Sequence, residues 1–250
     1  DGLDHWDFDL GGPLFGGHDI RVVDCGDVPG DPTDIKGHYR IAEKAVKTIL
    51  DRKALPVVIG GDHGVPIPVL RAFDGRGPIT LVHIDAHIDW RDEVNGVYEG
   101  YSSPIRRASE LSHIDRIFQI GMRGQGSARA KEVEDALNYG AEIITAYEVH
   151  EKGIDSVLDR IPANENYYLT IDADGLDPTV MPAVAAPVAG GLLFYQVRGL
   201  IHSLAQKGRL LGMDIVEITP ERDLNGISSL TAGQLILNFI GATARAGYFS

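Results

Sequence analysis

The sequence predicts an α/β fold on a central parallel sheet covered by helices on both faces. Short, continuous apolar runs alternate with stretches of helical periodicity along most of the chain, as expected of strands buried on both sides. Several of those runs stop at clusters of glycine and aspartate, which are turn formers at strand ends. The 250 residues are 44% hydrophobic and 24% charged, an ordinary balance for a chain able to bury a sizeable core.

Residues 19–28 (DIRVVDCGDV) read as a strand ending in a glycine turn. Residues 34–52 place Ile41, Ala45, Val46, Ile49 and Leu50 at helical spacing. Residues 55–64 form a short apolar strand stopped by glycines, and residues 65–73 a helix with prolines near its first turn. Strands follow over 78–87 and 116–124, then a helix over 127–140 ended by Gly140. A strand over 141–146 leads into a helix over 147–161. The remainder reads as strand 166–177, helix 192–208, strand 209–218 and a last helix over 231–247. No linker, low-complexity tract or repeat intervenes, so residues 1–250 are expected to form a single domain. The chain opens on Asp1 rather than Met, and the expectation is that an N-terminal segment is missing from it.

The net charge of −13 argues against a nucleic-acid partner, which needs a basic footprint. No apolar run reaches the roughly 18 residues of a membrane helix and no signal-peptide pattern opens the chain, so no membrane partner is expected. Cys25 is the single cysteine. It excludes an internal disulfide framework, reads as a small buried residue and fits a reducing, cytoplasmic setting.

Right-handed crossovers would bring the strand C-termini to one edge, where such sheets bind ligands. His63 ends one run in GGDHG; Asp85, His87 and Asp89 end the next in HIDAHID; Asp172 and Asp174 end another in TIDADGLD. If the chain stays extended, the spacing of two puts Asp85, His87 and Asp89 on one side, and Asp172 and Asp174 likewise. His83 shares that parity but lies earlier in its strand, as a buried supporting residue rather than a ligand. One Asp-x-Asp is an ordinary turn device; three such clusters on three apolar strands are not explained as turns. Four adjacent carboxylates repel, which raises some of their pKa values unless cations neutralise them. Two divalent cations, sharing carboxylates and roughly 3.5 Å apart, would do so and would activate a water. Carboxylate and imidazole donors without thiolate suit Mn²⁺, Ni²⁺ or Zn²⁺ better than Ca²⁺.

These motifs, with GMDIVEITPERD near the end, resemble the ureohydrolases, the arginase and agmatinase family, from about residue 19 to 247. The resemblance implies a three-layer α/β/α sandwich with a central parallel sheet, a trimer or hexamer of identical chains, and a pair of Mn²⁺ ions, with Ni²⁺ in some members. It implies that His63 and His87 each bind one metal, that Asp85 and Asp172 lie between the metals, and that Asp89 and Asp174 complete the set. Asp89 would also relay a proton. Glu217 would hold a substrate guanidinium, as a carboxylate can accept its planar fork, and Asp214 would support the site from behind. The activity implied is hydrolysis of a linear amidine or guanidino C–N bond with release of urea, agmatine being the default substrate.

The sequence departs from the family pattern in the loop WRDEVNGVYEGYSSPIRRAS. Tyr101 stands where members carry a proton-shuttling histidine, so Tyr101 and Glu99 are the candidate replacements, with Glu99 and Ser102 as candidate substrate contacts. A tyrosine of pKa near 10 shuttles protons poorly at neutral pH. Formimidoylglutamases also lack that histidine and carry a serine-rich loop with an arginine after the metal aspartate; Arg91, Ser102 and Ser103 echo this. Formimidoyl hydrolysis to formamide is therefore the alternative activity, and a non-catalytic subunit of the same fold is another. Arg91, Arg106 and Arg107 are the cations available for a substrate carboxylate. After Asp177 the loop DPTVMPAVAAPVAGG is longer than usual, and Met181 and Val184 suggest a more apolar pocket wall.

Overall fold

The computed structural model describes residues 3–31 and 33–249. A small antiparallel pair, β1 (Trp6–Asp7) and β2 (Gly12–Pro13), opens the described chain. There follow α1 (Ile35–Asp51), β3 (Val57–Ile59), α2 (Pro66–Arg71), β4 (Ile79–Ile84), α3 (Pro104–Ala108), β5 (Ile114–Met122), α4 (Ala130–Tyr139) and β6 (Glu142–Thr145). Then come α5 (Ala146–Lys152), α6 (Asp155–Leu158), β7 (Asn166–Asp172), α7 (Phe194–Lys207), β8 (Arg209–Val216) and α8 (Ile227–Arg245).

Among the described residues, β3 to β8 form one sheet in the order β3-β8-β7-β4-β5-β6, and every neighbouring pair is parallel. All six side chains of β4 are buried, because successive residues feed opposite layers. Ile79 and Leu81 pack with Val46, Val69, Ile105 and Ala136 from α1 to α4. Val82 and Ile84 pack with Val149, Val157, Leu200 and Phe239 from α5 to α8. The chain runs from β4 to β5 on one side and from β7 to β8 on the other, so the strand order reverses between β4 and β7. Their C-terminal ends therefore form the crevice where ligands bind in such sheets.

Some expectations need correction. Residues 19–28 form no strand; Val22 and Val23 are exposed, and the segment pairs with no strand among the described residues. An apolar pattern records fitness for a sheet, but a strand needs a ladder partner. Cys25 lies in this segment and is exposed, not buried. The helix expected over 147–161 is split into α5 and α6 at Gly153, whose φ of 79° no helix accommodates. The last helix begins at Ile227, four residues before the expected start, because the Asp223 carboxylate accepts from the backbone N–H groups of Ser228 and Ser229 at 2.8 and 2.9 Å. Met181 and Val184 are fully buried in the core and do not line a pocket wall.

Candidate metal centre

The ligand-bearing residues after β4 are not in extended conformation. The strand ends at Ile84, and Asp89 has a φ of 45°. A left-handed aspartate is tolerable but unusual, the kind of strain found at functional sites. The turn still brings the expected side chains together. The Asp85 Oδ1 accepts from the His87 backbone N–H at 2.6 Å, bending the chain back on its own carboxylate. After β7 the turn Ala173–Gly175 is similar: Asp172 Oδ1 accepts from the Asp174 N–H at 2.8 Å. Asp174 Oδ1 then accepts from the Ala86 N–H at 3.1 Å, joining the two turns. Gly175 permits this approach, since a Cβ there would lie 2.7 Å from the Asp85 nitrogen.

Two donor sets result, and Asp85 belongs to both. His63 Nδ1 is buried and makes no directed hydrogen bond, yet Asp85 Oδ2, Asp89 Oδ2 and Asp172 Oδ2 lie 3.0, 2.9 and 3.2 Å away. His87 Nδ1 lies 3.2 Å from Asp85 Oδ1 and 3.2 Å from Asp174 Oδ2. One carboxylate thus turns an oxygen to each histidine. A buried nitrogen facing three carboxylate oxygens, with no thiolate, is the donor chemistry of a divalent transition metal. All six residues singled out as ligands are gathered here.

The electrostatics match a centre built for cations. Burial and the neighbouring Asp85 push Asp89 up to about 7, and burial with Asp85 pushes Asp172 well above the carboxylate range. Burial would raise Asp85 as well, but His83, His63 and His87 hold it well below. Hydrogen bonding to Asp174 and Asp85 lifts His87 to about 11. The unneutralised cluster therefore stores protons that a metal would displace.

Behind these residues lies a buried polar row that the sequence reading covered only in part. Gln119, His83, Thr170 and Asp214 sit in direct register across β5, β4, β7 and β8, all fully buried. Thr170 Oγ1 donates to Asp214 Oδ1 at 2.6 Å and so accepts from His63 Nε2–H at 3.1 Å. That bond leaves Nδ1 as the lone pair turned to the carboxylates. Tyr168 donates to Asp214 Oδ2 at 2.8 Å, and burial pushes Asp214 up to about 6. His83 has the supporting role expected of it. Its Nε2 donates to Asp85 Oδ2 at 2.8 Å and its Nδ1 accepts from Gln119 at 3.2 Å, which leaves neither nitrogen for a metal. Gln119, Thr170 and Tyr168 went unnoticed; polar residues inside apolar strands, in phase with the ligands, were the signal. Arg123, also missed, donates to the carbonyls of Asp174, Leu176 and Val188 and so fixes the turn after β7.

Glu217 follows β8 with a φ of 64°, and its Oε1 accepts from the His63 N–H at 2.9 Å. Burial raises its pKa. A cavity of about 520 Å³ opens beside the centre, lined by His87, Asp89, Arg91, Ser102, Ser127 and Glu132 among others. Arg91 pairs with Glu132 at 2.9 Å and donates to the Ser127 carbonyl at 2.6 Å. Glu99 is placed differently from expectation. Its carboxylate is held by Arg71 and its carbonyl accepts from Tyr39 Oη at 3.0 Å, so it straps the loop to α1 and α2. Tyr101 is 60% exposed, beside Ser102. Arg106 and Arg107 pair with Asp92 and Glu110, outside the residues lining the cavity.

The arginase family profile matches residues 6–241. The chain belongs to the arginase family. It is 33% identical over 227 residues to a guanidinobutyrase of Pseudomonas aeruginosa, covering 88% of this chain and 70% of that one. It is 30% identical over 239 residues to an agmatinase of Blochmanniella floridana, covering 94% and 74%. The structure of proclavaminate amidino hydrolase from Streptomyces clavuligerus superposes with a TM-score of 0.81 at 30% identity, over 90% of this chain and 76% of that one. The family is one of binuclear metal-dependent hydrolases acting on guanidino and amidino groups, and the sheet with its flanking helices is that of its solved members. His63, Asp85 and Asp89, with His83 beside them, form one group that could hold a metal ion, and Asp85, His87 and Asp174 form another.

Proposed function

We propose that this arginase-family hydrolase cleaves the C–N bond of a linear guanidino compound, releasing urea and an amine, with His63, Asp85, His87, Asp89, Asp172 and Asp174 as metal ligands. The observation that carries the reading is the sharing of Asp85 between the His63 and His87 donor sets. Mn²⁺ is the proposed metal and Ni²⁺ the second choice, as the resemblance to the family implies; the all-N/O donor set accommodates either. Bound there, two divalent cations would supply Lewis acidity and make water nucleophilic at neutral pH. Glu217 orients the planar cationic head by accepting from its N–H fork. Asp89, beside His63 and on the cavity wall, takes up and returns the proton of the attacking water. The cavity beyond Asp89 takes the rest of the substrate.

An amine-tailed substrate, agmatine, is the first reading. The guanidinobutyrase relative favours a second, an acid-tailed guanidino compound, for which Arg91 on the cavity wall would have to exchange its Glu132 partner for the substrate carboxylate. The test is a panel of guanidino amines, guanidino acids and formimidoyl compounds incubated with Mn²⁺-loaded and Ni²⁺-loaded protein, read by mass spectrometry. Urea is expected, from agmatine first. Formamide without urea overturns the proposal.

A further inference from the structure

One buried side chain grips the centre twice from the strand beneath it. Gln119 lies in the middle of β5, fully buried, directly across the ladder from His83. Its amide nitrogen donates to His83 Nδ1 at 3.2 Å and to the Ile88 carbonyl at 2.7 Å. Both contacts need an N–H donor, which fixes the orientation of the amide. The other amide atom, Oε1, is buried with no hydrogen-bond partner. Leaving a buried oxygen unpaired is costly, so such a group in a native core calls for a reason beyond packing.

Each contact ends on an atom that serves one half of the centre. Through His83, Gln119 reaches Asp85 Oδ2, the oxygen 3.0 Å from His63. Through the Ile88 carbonyl it fixes the peptide leading into Asp89, whose left-handed turn puts Oδ2 2.9 Å from His63. Gln119 contacts neither His87 nor Asp174, which with Asp85 Oδ1 make up the other half. We infer that Gln119 is a positioning residue for the His63 half of the centre, tethering Asp85 Oδ2 and the Asp89 turn at once. The inference rests on the metal reading of the cluster proposed above.

The test uses the full chain with Gln119→Leu, which removes both contacts, and Gln119→Glu, which keeps the shape but opposes a carboxylate to the Ile88 carbonyl. Mn²⁺ titration by calorimetry is paired with electron paramagnetic resonance of the loaded protein and with thermal melting. In both variants the class of Mn²⁺ site on the His63 side is expected to weaken by about 10–100-fold, the usual effect of losing a partner behind a ligand, while the other, which shares Asp85 only through the Oδ1 anchored on the His87 N–H, weakens by less. The resonance of a coupled Mn²⁺ pair should give way to that of an isolated ion. Unchanged affinities, or two affinities falling in parallel with the melting temperature, would overturn the assignment and leave Gln119 a packing residue. A wild-type chain that binds no Mn²⁺, Ni²⁺ or Zn²⁺ would instead remove the metal reading itself.

Discussion

Six side chains on the floor of the site are fixed by buried strands and by bonds that cross from turn to turn, as when Asp174 accepts from Ala86 and Thr170 holds His63. The rim is made differently. Residues 91–103 leave the sheet as a loop, and Tyr98 and Tyr101 on it are more than half exposed. It is held at a few points: Glu99 by Arg71 and Tyr39, and the Arg91 N–H on the Ser102 carbonyl at 3.0 Å. A floor so constrained admits few residue types, and its chemistry is read from the ligands. The rim is loosely constrained, and on the proposed function it is the part left to select the substrate.

That contrast can be broken or sharpened by substitution. Asp85→Asn strikes both donor sets, so both metals should be lost by elemental analysis and urea release should fall by about 10³-fold or more. A variant that keeps two metals would show that Asp85 is not shared. Glu217→Gln should lower kcat/KM by about 10–100-fold at unchanged metal content, through loss of a charge-assisted bond to the substrate head. Thr170→Val leaves the His63 Nε2–H and Asp214 without their common partner; metal affinity, read by chelator competition, should fall by about 10–100-fold.

The pH dependence has a definite sign. Asp89, raised to about 7 without metal, must lose its proton to ligate. His87, lifted to about 11, must shed its proton as well, so metal affinity should fall with pH throughout the range below 11 and more steeply below pH 7, by about tenfold per pH unit for each proton displaced, and calorimetry in buffers of different ionisation enthalpy should register proton release. An affinity flat from pH 5 to 8 would mean that neither the Asp89 nor the His87 proton has to be displaced. On the rim, Tyr101→Phe should change turnover by less than about threefold, since the side chain is 60% exposed and stands outside the residues lining the cavity. A much larger loss would make Tyr101 part of the chemistry.

The same contrast governs what the sequence revealed. The parallel sheet was legible because β4, β7 and β8 are continuous apolar runs, and the six candidate ligands because three clusters of Asp and His ending such runs are more than turn formation requires. The backbone that gathers them was not legible. Spacing suggested an extended 85–89, whereas the cluster forms through a turn with Asp89 left-handed. Gln119 and Thr170 were hidden inside strands, because which residues face each other across a ladder depends on strand order. Residues 19–28 misled for a related reason: their composition suits a strand, but pairing is a property of the neighbour as well. Glu99 could not be assigned before Arg71 was seen beside it.

The most direct test of the account is the metal content of the wild-type chain, loaded with Mn²⁺, freed of excess by gel filtration and measured by elemental analysis against protein concentration. The shared position of Asp85 between His63 and His87 predicts about two ions per chain, bound as a magnetically coupled pair. One ion per chain, or none after loading with Mn²⁺, Ni²⁺ and Zn²⁺ in turn, would contradict it.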